Sequence, residues 1–143
     1  MVGGIIDTDI HQTFARSDEI TRRMPAWYRR SHFRPPTIAT ISPIGVPRKD
    51  AFPDCGGDPG SDYAFLCKQH MDAFGITYGI LTGDGFLSIS THPDTRYANA
   101  FASAYNEAMR ETWLTYDPRF FAALFVNSSD PAAAAQQPLV SEA

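Results

Sequence analysis

The spacing of apolar and polar residues predicts a strand at the N-terminus. Residues 3–11 open with glycines and isoleucines, as buried strands often do, and then place polar side chains at every second position. Since side chains alternate across a strand, Asp7, Asp9 and His11 should project from one face and the apolar residues between them from the other. The strand should therefore have one buried apolar face and one face rich in potential ligands.

The segment from Gln12 to Gly60 shows little periodicity, and seven prolines interrupt it. Short helical stretches are plausible at 18–23 and 26–30. Because a structureless loop of this length is uncommon inside a compact domain unless it has a function, we interpret the segment as a lid over a site.

Helices and strands alternate after residue 60. A helix should begin at Ser61 as its cap, with Asp62 in the first turn, and end at Gly75. A strand follows at 76–82, short and apolar enough to be buried on both faces. A long helix is predicted from 93 to 116 and a third strand from 119 to 127. Asp130 should cap a short last helix that cannot continue past Pro138.

Two histidines fall on these helices. His70 lies in the apolar stripe of the helix at 61–75, so it should face the core and bond a backbone group. His92 lies at the mouth of the long helix, where a capping or solvent-facing role is expected. Neither follows a strand, and neither does His32, so none of the three is expected at a site formed by strand ends.

This order of elements predicts an α/β fold with parallel strands joined by right-handed crossovers. Two architectures fit it: a small open α/β sheet, or a partial (β/α)8 TIM barrel containing about the first three strands. A complete barrel takes roughly 250 residues, so 143 residues cannot close one. The folded domain is predicted to extend over 1–135, with an unstructured tail or truncation at 136–143.

Amino-acid composition and net charge limit the kinds of molecule that the chain is expected to bind. The hydrophobic content of 43% suits one packed domain, and a net charge of −4 argues against nucleic-acid and anionic-membrane partners. The arginines at 22, 23, 29, 30 and 34, which follow Glu19, are interpreted as a solvated surface. Cys55 and Cys67 form no paired motif, and the N-terminus resembles no signal segment. A reducing, cytoplasmic setting is expected.

Asp9 and His11 would occupy the carboxyl end of the first strand, where barrel enzymes place their chemistry. A carboxylate and an imidazole two residues apart on a strand can reach one divalent ion, and this donor pair suits Zn or Mn. Spacing alone leaves an alternative open, in which Asp7 and Asp9 bond backbone amides of the following loop.

Residues 5–11, Ile-Ile-Asp-Thr-Asp-Ile-His, resemble the first strand of the amidohydrolase-related family, whose metal-dependent barrels include the aminocarboxymuconate-semialdehyde and resorcylate decarboxylases. Further segments follow in family order: Arg-Lys-Asp-Ala at 48–51, Pro-Gly-Ser-Asp at 59–62, Met-Asp-Ala-Phe-Gly-Ile at 71–76, Tyr-Ala at 97–98, Ala-Tyr-Asn at 104–106, Trp-Leu at 113–114 and Asp-Pro-Arg-Phe at 117–120. The resemblance extends over almost the whole chain up to Ala135, and it implies that 1–135 are the N-terminal part of such a barrel domain.

The resemblance implies a hydrolase or carboxy-lyase acting on a small carboxylated or cyclic substrate, with Asp9 and His11 as metal ligands and Asp7 as a supporting residue. Hydrolytic relatives typically have histidine at both ligand positions, so the carboxylate at Asp9 favours a decarboxylase slightly. The histidine ligands of later strands and the catalytic aspartate of the last strand have no counterpart here.

Three readings follow. The chain is the N-terminal part of such an enzyme and requires a missing C-terminal half of the barrel, or it is a catalytically inactive fragment that associates with other chains, or it is an independent α/β binding module. In the second, homo-oligomers would form through the sheet edge, since the apolar residues of the third strand would be poorly covered: Phe120, Phe121, Leu124 and Phe125.

Overall fold

The computed structural model describes residues 4–30, 48–83, 89 and 92–137. The strands are β1 (Ile5–Ile10), β2 (Ile76–Leu81) and β3 (Phe120–Ala122). The α-helices are α1 (Ala26–Arg30), α2 (Tyr63–Leu66), α3 (Thr95–Glu111), α4 (Trp113–Tyr116) and α5 (Pro131–Ala134). Single 3-10 turns lie at Thr21–Arg23 and Lys49–Ala51, and a π-helical stretch at Cys67–Asp72 continues α2.

The three strands form one parallel sheet in the order β1-β2-β3. The prediction of an α/β fold with parallel strands is confirmed. Gly79 of β2 pairs with Asp7 of β1 and Phe120 of β3, so these three residues share one face of the sheet.

Helices cover this shared face. A Cβ atom on Gly79 would lie 3.2 Å from Sδ of Met71 and 2.6 Å from Cδ1 of Ile10, so the π-helical stretch packs directly on β2. Phe120 is buried beside Trp113, whose ring centroid lies 5.5 Å away. Glycine at position 79 therefore allows the close approach of helix and sheet.

The opposite face of the sheet is bare within the part of the chain that the structure describes. Ile6, Tyr78 and Phe121 are all exposed there. Ile6 pairs with Tyr78 across the strands, and the rings of Tyr78 and Phe121 meet edge to face. The predictions that β1 opens as a buried strand and that β2 is buried on both faces are therefore wrong. No described element covers this side, because helices pack only on the other one.

Helix boundaries follow the predicted pattern, with corrections at the starts of α2 and α3 and at the end of α3. Asp62, and not Ser61, caps α2, since its Oδ1 accepts the N–H of Phe65 at 2.8 Å. Asp94 caps α3 by accepting from the N–H groups of Arg96 and Tyr97. Tyr97, Phe101, Ala104, Tyr105 and Ala108 form a buried apolar stripe on this helix, which ends at Glu111, short of the predicted residue 116. Asp130 caps α5, with Pro131 as the first helical residue, as predicted.

The third strand is shorter than the predicted 119–127. Ala123 still donates its N–H to Leu81, but the backbone of Phe125 is bound by the side chain of Asn106 on α3. Both backbone groups of Phe125 are satisfied there, so the chain leaves the sheet. Of the residues expected to be poorly covered, Phe121 is exposed, whereas Phe120 is buried and Phe125 lies against the ring of Tyr105.

The predicted lid leaves the end of β1 at Gln12, and its last residue, Gly60, returns to the same place. Thr13 donates its N–H to the carbonyl of Gly60 at 2.8 Å, which joins the two ends. Ile20 and Met24 are buried in the core, so the first part of the segment packs as structure. Helical turns appear at Thr21–Arg23 and Ala26–Arg30, close to the predicted positions.

The structure also bears on membrane-spanning helices and on the predicted domain boundary at residue 135. None of the helices within 4–30, 48–83 and 92–137 is both long and apolar enough to cross a membrane. The proposed boundary at residue 135 stays a prediction, although Gln137 bonds the side chains of Ser103 and Asn106.

Candidate functional site

A pocket of about 290 Å³ opens at the carboxyl end of β1. It is lined by Asp7, Asp9, Ile10, His11, Ala51, Pro59, Gly60, Phe65, Leu66, Gln69 and His70. Strand, returning loop and helix each supply part of this wall. The three polar residues predicted from the N-terminal pattern all line it.

Asp9 and His11 face each other in the pocket. Nε2 of His11 lies 3.1 Å from Oδ1 of Asp9, and the two side chains are 52% and 72% exposed, respectively. The hydroxyl of Thr82, just after β2, donates to the same Oδ1 at 3.0 Å. The pair is therefore open to solvent and is oriented by a neighbouring strand.

A second carboxylate–imidazole pair lies beside the first. Nε2 of His70 is 2.6 Å from Oδ2 of Asp7, and these side chains are 38% and 27% exposed. Oδ1 of Asp7 accepts the backbone N–H of Asp9 at 3.0 Å. That backbone bond, together with the bond from His70, lowers the pKa of Asp7. The ionised form of Asp7 is thus favoured.

This position of His70 corrects the sequence-based expectation. The apolar stripe predicts that His70 faces the core and bonds a backbone group, away from any strand-end site. Instead its ring lines the pocket and binds a strand carboxylate, because the π-helical stretch packs on Gly79 of β2, whose partner on β1 is Asp7. Met71 and Phe74 belong to the same predicted apolar stripe as His70. Met71 is buried, as expected, whereas Phe74 is exposed.

The strict alternation predicted for β1 breaks between Asp7 and Ile10. The pairing register with β2 shifts there, and Ile10 turns into the core next to Gly79. As a result Asp7 reaches the helix while Asp9 reaches Thr82. The structure brings the three predicted residues into one pocket, but as members of two separate pairs.

Gln12 and Gly60 hold the backbone around the pocket in place. Gln12 follows His11 and is fully buried, and its Oε1 accepts the N–H of Gly83 at 2.8 Å. Gly60 has φ of +74°, and a Cβ atom there would lie 2.6 Å from the carbonyl oxygen of His11. A larger residue at position 60 would push this pocket wall away from the strand.

Sequence reasoning missed His70, Thr82 and Gln12 as parts of the site. The three- and four-residue spacing of apolar residues on this helix does not indicate that His70 faces a carboxylate from β1. Thr82 could have been found as the first residue after the predicted neighbouring strand. His92 behaves as expected, with Nδ1 accepting the N–H of Asp94 at 3.1 Å, while His32 lies outside the described residues.

Comparison with protein-family models and with curated proteins finds no match to this chain. Within residues 4–30, 48–83, 89 and 92–137, no three His, Cys, Asp or Glu side chains converge in a way that would hold a metal ion. The pocket therefore presents two carboxylate–imidazole pairs and no larger cluster among those residues.

Proposed function

We propose that the chain is the N-terminal part of an amidohydrolase-related barrel enzyme in which Asp9 and His11 bind a catalytic Zn or Mn ion. The pair supports this by its geometry. Two ligands at about 2.1 Å from a tetrahedral ion are about 3.4 Å apart, and the two donor atoms are 3.1 Å apart in the open pocket. A small movement would let both bind one ion.

The singly wound sheet supports the partial barrel. Consecutive strands are neighbours, and the helical connections pack on one face. In a (β/α)8 barrel the helices form the outer ring and the bare face becomes the packed interior. Ile6, Tyr78 and Phe121, which are exposed here, would be interior side chains in that arrangement.

The metal would supply a Lewis acid, either to acidify a bound water for hydrolysis or to hold a substrate carboxylate for decarboxylation. The residues around the pair have distinct tasks. Thr82 holds one oxygen of Asp9, and Asp7 fixes the backbone of Asp9. Two protein ligands fill half of a four-coordinate site, so the remaining ligands would come from outside this pair.

The substrate class in this proposal is a small carboxylated or cyclic molecule, which a pocket of about 290 Å³ is large enough to admit in part. A reducing, cytoplasmic setting belongs to the same proposal, because Cys55 and Cys67 are both free thiols. The predicted lid is included as the segment whose returning end, at Pro59 and Gly60, forms one pocket wall.

Calorimetric titration of the whole chain with Zn and with Mn tests the proposal. We expect stoichiometric binding that His11→Ala and Asp9→Asn each weaken by at least about tenfold, because each removes one of two ligands. His92→Ala is the matched control, since His92 lies outside the pocket. If His11→Ala binds both metals as the control does, Asp9 and His11 are not ligands.

A second candidate function, association through the sheet, is favoured by the bare apolar face. Contiguous exposed apolar side chains on a sheet are typical of an interaction surface. Sedimentation of wild-type and Phe121→Lys chains separates the candidates. Concentration-dependent oligomers that the substitution abolishes would favour association, whereas a monomer in both cases would reject it.

A further inference from the structure

We propose that Asp7 and His70 form a proton-accepting dyad in the pocket, with Nδ1 of His70 as the base, and that this dyad works without the metal. The pair lies next to Asp9 and His11 but is a separate unit. Its 2.6 Å separation is the shortest between a carboxylate and an imidazole in the described parts of the chain.

The hydrogen-bond arrangement assigns the two ring nitrogens. A carboxylate only accepts hydrogen bonds, so Nε2 of His70 must carry the proton that it shares with Oδ2 of Asp7. Nδ1 of the neutral ring then has the lone pair. Among the described residues no hydrogen-bond partner of Nδ1 is present, and the ring lines the pocket.

Asp7 is itself held in place. Its Oδ1 accepts the backbone N–H of Asp9, so the carboxylate is tied to β1 at one oxygen and to the ring at the other. A base oriented by a fixed carboxylate is the arrangement that activates water or a hydroxyl in many hydrolases. The other charged or titratable side chains that line the pocket with His70 are Asp7, Asp9 and His11.

The proposed step is a simple proton transfer. A water molecule in the pocket attacks an ester carbonyl and its proton moves to Nδ1, while Nε2–H stays bonded to the ionised Asp7. The tetrahedral intermediate expels the alkoxide or phenolate, which leaves with the bonding electrons, and the imidazolium later returns its proton to solvent. No redox partner or metal is needed.

Hydrolysis of p-nitrophenyl acetate by the whole chain in EDTA tests the dyad. We expect His70→Gln, which can still bond Asp7, to lower the rate by about 10²-fold, the low end for a positioned general base. Asp7→Asn should also lower it, because the group that orients Nε2–H is changed. His92→Gln is the control and should hydrolyse the ester at the wild-type rate.

Two outcomes would overturn the inference: a His70→Gln protein with the wild-type rate, or nitrogen NMR of the wild type showing the proton of neutral His70 on Nδ1. The NMR measurement stays decisive if the variants fold poorly. A pair that only fastened the helix to β1 would lower the melting temperature in His70→Gln without changing the rate per folded molecule. EDTA keeps this test separate from the metal titration, so either proposal can fail alone.

Discussion

The side-chain amide of Gln12 donates to the hydroxyl of Tyr105 at 2.7 Å, which joins the end of β1 to the middle of α3. Gln12 also donates to Sδ of Met109 and accepts from the N–H of Gly83 after β2. Only 1% of Gln12 is exposed, so these bonds form inside the core. The side-chain amide of Gln12, the residue after His11, thus links the end of β1 to α3 and to the end of β2.

Replacing Gln12 by leucine should lower the free energy of unfolding by about 1–3 kcal/mol, because the buried N–H of Gly83 loses its acceptor. Urea denaturation measures the change. Gln136→Leu is the control, since Gln136 is exposed near the end of the described chain, and it should change stability by less than about 0.5 kcal/mol. Equal stability of both variants would mean that the Gln12 network contributes nothing.

The elements that the sequence predicted well are those whose signals are local. Asp130 followed by Pro131 is sufficient to start α5, and the apolar spacing from Tyr97 to Ala108 is sufficient to define the buried side of α3. The parallel sheet followed from the alternation of these elements. Such features depend on residues only a few positions apart.

The parts that failed depend on distant partners. His70 meets Asp7 across 63 residues, and Gln12 meets Tyr105 across 93. The early end of β3 results from Asn106, which lies on a different element and binds the backbone of Phe125. One sequence contains no local signal for these contacts, so the strand pattern predicts that Asp9 and His11 lie together but does not predict that His70 joins them in the pocket.

Gly79→Ala should destabilise the protein by about 1–3 kcal/mol. The added Cβ atom would lie 2.6 Å from Cδ1 of Ile10, which cannot move far inside the core. Ile10→Val removes that carbon. We therefore expect the double variant to be more stable than Gly79→Ala alone, although Ile10→Val by itself should cost about 0.5–1.5 kcal/mol. Strict additivity in thermal unfolding would contradict this packing.

Asp117 should make stability depend on acid pH. The hydrogen bond from Arg119 is the main cause that lowers its pKa from 3.8 to about 2. Because the folded pKa lies below the unfolded one, the stabilisation is present above about pH 4 and is lost as the pH falls through about 2. After allowance for partial solvent exposure, we expect this loss to be about 1–2 kcal/mol.

Urea denaturation at pH 5 and pH 2.5 measures this effect. Asp117→Asn should lose less stability over that interval than the wild type, since it has no carboxyl group to protonate. Asp54→Asn, in an exposed turn, is the control and should behave as the wild type does. The same fall in stability for wild type and Asp117→Asn would show that the ion pair with Arg119 contributes nothing.

Arg23 connects the segment after β1 to the long helix. Its guanidinium bonds Oε1 of Glu19 at 2.5 Å and Oε2 of Glu111 at 2.6 Å, and its side chain is only 10% exposed. Burial raises the pKa of Glu19, but the bonds from Arg23 and Arg22 outweigh burial and lower it overall. Glu19 is therefore a buried carboxylate that depends on its arginines.

Arg23→Ala should reduce the free energy of unfolding by about 1–3 kcal/mol, because the buried carboxylate of Glu19 loses its buried partner and keeps only Arg22, whose side chain is 46% exposed, at hydrogen-bond distance. Arg110→Ala is the control, since its exposed guanidinium lies 3.8 Å from Glu111, and it should cost less than about 0.5 kcal/mol. Removing Glu19 as well should recover part of the loss. The double variant combines Arg23→Ala with Glu19→Ala. If its loss of stability equals the sum of the losses in the two single variants, the two residues are not coupled.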